Sequence, residues 1–186
     1  MSQSAHRRWI QLGGLRVGKT NRRQRFLGGV SLEEGSGADT IDSYVPHVVG
    51  GVKYKGDWGA ITAVGAYNSN GEEWAGKVRL DVKATSDLTL LVMGGYGSDD
   101  NTATNFYKPW TGNFAVWGGG TYTVNKKVAL NAQVSYTDAE DFAVAANVAY
   151  TIVPGYTITA EVDYYDSFDA DDSDAIGGIV RFQRSF

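Results

Sequence analysis

The amino-acid sequence predicts an all-β chain, an antiparallel up-and-down barrel whose strands cross a bilayer. Three observations predict it. Apolar and polar residues alternate with a period of two along runs of about 9–11 residues, the length of a tilted bilayer-crossing strand and longer than an ordinary globular one. Tight connections alternate with longer ones, as in barrels with short turns on one side of a membrane and loops on the other. Aromatic residues on the apolar faces gather at the two ends of the runs and leave Val, Leu, Ile, Ala and Gly between them, as expected where a strand meets two bilayer interfaces.

Composition agrees. The 186 residues include 24 Gly and 11 Tyr but only 3 Pro, which favours strands and bends. A net charge of −4 argues against a nucleic-acid partner, which wants a basic footprint. The absence of Cys removes disulfides, thiolate metal sites and a Cys nucleophile. No apolar run approaches the roughly 18 residues of a transmembrane helix. The opening MSQSAHRRWIQLGG has a basic flank but lacks the apolar run of about 7–15 residues that a secretory signal needs.

Taken in order, Phe26–Glu34, Tyr44–Lys55 and Trp58–Asn68 fit the alternating template. Glu73–Lys83 states it most clearly: Trp74, Gly76, Val78, Leu80 and Val82 share one face, and Lys77, Arg79, Asp81 and Lys83 the other. A helix would mix these sets, because its period is 3.6 residues. Leu88–Tyr96, Phe114–Tyr122, Val128–Tyr136, Phe142–Tyr150 and Tyr156–Tyr164 repeat the pattern, with Asn131, Gln133, Ser135, Glu161 and Asp163 on wet faces. The last run carries Ile176, Gly178, Val180, Phe182 and Phe186 on one parity, broken by Arg184. This makes about ten strands over residues 26–186, after an atypical segment, 1–25, with one possible strand near Trp9.

The tight connections are Lys55–Asp57, Ala84–Asp87, Val124–Lys127 and Val153–Gly155. Between them fall Glu34–Ser43, Asn68–Gly71, Ser98–Gly112, Thr137–Glu140 and Ser167–Asp174. Tyr44, Trp74, Tyr96, Phe114, Tyr136, Phe142 and Tyr164 adjoin the longer set. Tyr54, Tyr122, Tyr150, Tyr156, Phe182 and Phe186 adjoin the tight set or the C-terminus. Trp74, Tyr96, Tyr136, Tyr150, Tyr164, Phe182 and Phe186 are therefore the candidate interface aromatics. The opposite parity places Lys53, Lys77, Arg79, Lys83 and Arg181 inward, where they would line a water-filled space.

Several stretches resemble a known family. IDSYVPHVVGGVKYKGDWGAI, FAVWGG, VAANVAYTIVPGYTITAEVDY and GGIVRFQRSF together resemble the alphaproteobacterial general porins. The resemblance implies an outer-membrane barrel of 16 strands, a homotrimer in contact with lipid and lipopolysaccharide, that passes small hydrophilic solutes without a cofactor. It also implies that the terminal aromatic belongs to an insertion signal. RWIQLGGLRVGKT resembles a family strand that precedes the pore-narrowing loop; NRRQRF interrupts it, and the resemblance resumes at FLGGVSLEEG. The expectation is a member truncated at its N-terminus, with a deletion or frame change near Asn21–Arg25 and without the narrowing loop.

Two other readings compete. One is a soluble β-sandwich or barrel serving as a carbohydrate-binding module, with Trp and Tyr stacking on sugars. The other is a barrel enzyme acting on lipids, which needs a nucleophile beside His47. Of the two histidines, His6 and His47, the latter carries lumen parity and reads more simply as structural. No Ser–His–Asp arrangement, phosphate loop or metal-ligand spacing stands out, so no catalytic or metal residue is assigned. Asp166, Asp169, Asp171, Asp172 and Asp174 read as a hydrated loop, because the spacing and distal Glu of a calcium-binding loop are missing.

Overall fold

A computed structural model describes residues 20–21, 24–171 and 173–185. The expectations for residues 1–19, Asp172 and Phe186 lie outside the described residues. The rest form one antiparallel sheet in which every strand pairs with its neighbours in sequence. After the two-residue β1 (Thr20–Asn21) come β2 (Gln24–Glu33), β3 (His47–Gly56), β4 (Gly59–Asn68), β5 (Glu73–Lys83) and β6 (Leu88–Gly97). The second half holds β7 (Phe114–Thr123), β8 (Val128–Thr137), β9 (Asp141–Val153), β10 (Tyr156–Ser167) and β11 (Ala175–Arg184). A single 3-10 turn, Gly37–Asp39, interrupts the loop before β3.

The long strands run from 10 to 13 residues. A ten-residue strand such as β6 is about 33 Å long and, tilted by about 40°, spans about 25 Å, the height of the apolar band of outer-membrane barrels. The expected all-β, up-and-down architecture is therefore present. Two predicted starts shift. Tyr44 stands in the loop before β3 and is 96% exposed, because Pro46 at the strand entrance lacks an N–H for the ladder. Trp58 belongs to the β3–β4 turn, packed against Tyr54 at 6.4 Å between ring centroids.

Turn chemistry explains the tight connections. In the β7–β8 turn the Asn125 side-chain oxygen accepts from the backbone N–H groups of Lys127 and Val128. Thr85 Oγ1 does the same for Asp87 and Leu88 in the β5–β6 turn. Gly155 supplies a φ of +81° between β9 and β10, which a side chain would strain. Two connections on the opposite side, 69–72 and 138–140, are no longer than these turns, so the two sides differ by their three long loops and not by every connection.

The apolar faces do not meet in a core. Among the described residues the buried apolar side chains are Ala60, Ala75, Trp110 and Ala115. Val92, Val162, Val180 and Phe182 are all more than 60% exposed, and Leu90, Leu130 and Val148 more than 40%. These outward residues face one another across the ladders, as in Ile61–Leu80–Val92 and Tyr150–Ile158–Phe182. A soluble sandwich or carbohydrate module would have packed them inside. That alternative finds no support here.

Candidate functional site: the inward face

The inward parity gathers polar side chains from β2 to β11. On β3–β5 the face is basic. Lys53 and Arg79 stand on either side of Thr62 in one row, so their strands are about 10 Å apart. Lys77 and Lys83 flank Arg79 along β5. Arg79 is held by Asp81: its Nε donates at 3.0 Å and its Nη2 at 2.6 Å to the carboxylate. This pair is nearly neutral in sum, which leaves Lys53, Lys77 and Lys83 as the excess charge of the wall. Arg181 lies on β11, opposite Thr159 of β10 and far around the sheet from the other four.

A different chemistry occupies β7–β10. Thr121 donates to Asn131 at 2.7 Å, Asn131 to Asn147 at 2.7 Å, and Asn147 to Glu161 at 2.6 Å. All four stand directly opposite one another in register, making one polar rung across four strands. Sequence parity placed Asn131 and Glu161 on the wet face but could not align them, because register is set by turn lengths.

The third component was not legible as a structure in the sequence. The loop between β6 and β7, residues 98–113, folds back as a strap over the inward face. Trp110 lies against Gly95, where an added Cβ would come within 2.8 Å of the indole, and meets Trp117 edge-on at 5.7 Å. Asn105 donates to the carbonyl of Trp74 at 2.9 Å, and Asn68 donates to that of Thr104 at 2.7 Å. Tyr107 reaches β2 and donates its hydroxyl to Glu33 at 2.9 Å. At the other end Asp138 accepts from the backbone N–H groups of Asn113 and Phe114, and Thr111 donates to Asp141. The strap thus ties β2, β4, β5 and β6 to β8 and β9.

Under the strap lie His47, Asn105 and Lys108, each 1% exposed or less. His47 sits edge-on to Phe106 at 5.2 Å; its Nε2 meets the carbonyl of Asp39 at 2.9 Å, and its Nδ1 accepts from the N–H of Ser69 at 3.0 Å. Ser69 Oγ is 3.1 Å from Nδ1 but gives its proton to the carbonyl of Val45 at 2.8 Å. The ring is thus a sealed structural joint, and the serine is not aligned as a nucleophile. Lys108 donates to the carbonyls of Asp100 and Gly112. Burial pulls its pKa below the usual lysine value, against the opposing pull of Asp100, Asp138 and Asp99. Tyr107 is pushed well above the ordinary tyrosine value, first by burial and then by its bond to Glu33.

The candidate interface aromatics fall in two bands. Trp74, Tyr96, Tyr136 and Tyr164 lie at the long-loop ends of their strands, with Trp74 and Tyr96 5.4 Å apart between ring centroids. Tyr150 and Phe182 lie toward the tight turns, both adjoining Ile158. Among the described residues no group of three potential metal ligands comes together. Around Asp166, Ser173 Oγ donates to the carboxylate at 3.2 Å and closes the loop on itself.

An aliphatic exterior, a polar interior and strands of bilayer-crossing length define a transmembrane β-barrel chain of the channel-forming class. The family model described as the porin subfamily matches residues 19–181. The chain is 45% identical over 191 residues to Porin Omp2a of Brucella abortus (strain S19), covering 94% of this chain and 58% of that one. It is 43% identical over 198 residues to Porin Omp2b of Brucella suis biovar 1 (strain 1330), covering 95% of this chain and 54% of that one. No solved structure matches. The chain belongs to the porin family, a family of the bacterial outer membrane, and it spans somewhat more than half the length of these curated relatives.

Proposed function

We propose that the sheet forms one wall of a water-filled outer-membrane pore through which small hydrophilic solutes and ions diffuse passively. The observation that carries this reading is the split between faces: Val, Leu and Ile stay exposed outside while charges and amides line the inside. In this reading Lys53, Lys77, Arg79, Lys83 and Arg181 line the pore and bias it toward anions, with the β3–β5 cluster dominating. Trp74, Tyr96, Tyr136, Tyr150, Tyr164 and Phe182 sit at the two lipid interfaces, with lipopolysaccharide meeting the long-loop band. Selection then comes from pore width and wall charge, and the protein works as a channel, with no covalent step. Residues 26–186 act as one barrel segment, and the family resemblance supports a homotrimer of the whole protein.

The test is ion current. Purified protein added to a planar bilayer should give discrete conductance steps and a reversal potential displaced toward the anion equilibrium value in a salt gradient. Protein that partitions into membranes yet gives no steps, even as the longest natural chain carrying this sequence, would refute the proposal.

A further inference from the structure

The strap encloses space that a simple diffusion path does not require. A cavity of about 130 Å³ lies between it and the inward wall. The wall side is aliphatic, with Val64, Ala66 and Ala75, and the strap side is aromatic, with Tyr107 and Trp110. The polar tips of both aromatics are already engaged elsewhere, Tyr107 with Glu33 and Trp110 Nε1 with the carbonyl of Asn113. What they contribute to the cavity is therefore ring surface. Lys77 is the one charged residue among the described ones that lines this space, and it has no ion-pair partner among them.

The volume is close to that of an apolar cavity able to take benzene, about 150 Å³. A ring-sized hollow edged by one unpaired ammonium group suits a ligand with the complementary halves. We propose that this slot is a binding site for small aromatic carboxylates, the ring seated among Ala66, Ala75, Tyr107 and Trp110 and the carboxylate paired with Lys77. The inference rests on the pore reading, because a water-filled lumen is what delivers solute to the slot. It adds to that reading a class of solute retained at the mouth before passage.

Binding and conduction are measured separately. Benzoate, benzyl alcohol and acetate are titrated calorimetrically into the detergent-purified protein, and the same preparation is tested for ion current. Saturable benzoate binding is expected, with benzyl alcohol and acetate both weaker. Lys77→Gln should weaken benzoate by up to about fivefold, the range of a partly exposed ion pair, and leave benzyl alcohol unchanged. Ala66→Leu should fill the hollow and abolish binding of both ring compounds. Equal affinity for benzoate and benzyl alcohol, or benzoate binding that ignores both substitutions, overturns the slot. Normal ion current without benzoate binding overturns the slot and leaves the pore standing, whereas no current in any preparation overturns the pore and with it the solute role.

Discussion

Placing one arginine on each face of the same strand tests which medium each face meets. Ala132 and Gln133 are adjacent on β8, four and five residues after its start at Val128. Four residues of strand cover about 13 Å, or about 10 Å in depth after tilt, which puts Ala132 near the middle of a band about 25 Å tall. Its ladder partners are Gly120 and Ala146, so an added side chain meets neither bulk nor charge. The cost of Ala132→Arg is then the cost of a guanidinium in hydrocarbon, about 2–4 kcal/mol, drawn toward the lower figure by snorkelling. Gln133 faces inward between Gly119 and Ala145, and Gln133→Arg should stay within about 0.5 kcal/mol of the parent. The assay is urea unfolding from phosphatidylcholine vesicles, comparing midpoints at constant slope. If Ala132→Arg lies within about 0.5 kcal/mol of the parent, or if the two variants fall together, the outer face does not contact lipid and the reasoning fails.

Three further outcomes are expected. Lys53→Gln and Lys83→Gln should each move the reversal potential toward the cation value, and Arg79→Gln should do so too by releasing the Asp81 carboxylate it now neutralises; a set of variants with unaltered selectivity would place these side chains away from the ion path. Because the folded pKa of Tyr107 is raised, its contribution to holding the strap is fully present below the ordinary tyrosine value and declines as pH climbs beyond about 10; a difference absorbance titration against Tyr107→Phe should show one phenol resisting ionisation there. Asn147→Leu removes the central member of the polar rung and should cost about 1 kcal/mol in the unfolding assay, with Glu161→Gln milder because it keeps an acceptor for Asn147.

Period-two patterning made β5 to β8 legible almost to the residue, because a strand with lipid on one face and water on the other must alternate without exception. It was weakest where a second constraint entered. β3 begins at His47 and not Tyr44, since the side chains that cover His47 come from Phe106 and Tyr107, about sixty residues away in sequence. Among the candidate pore residues, Lys77, Arg79 and Lys83 could be read as neighbours from one strand, but the separation of Arg181 from them follows from strand order. The strap was invisible for a plainer reason. SDDNTATNFYKPWTG has the composition of a loop, and its destination depends on long-range partners such as Glu33 and Gly95 that no local pattern announces.

Since each ladder joins only consecutive strands, mechanical load applied at either terminus has no distant crosslink to share it. A cantilever pulling on the C-terminal end should first extract the β10–β11 hairpin, then β8–β9, in steps. The strap between β2 and β9 is the one element able to interrupt that sequence, so the force record should rise where it must let go.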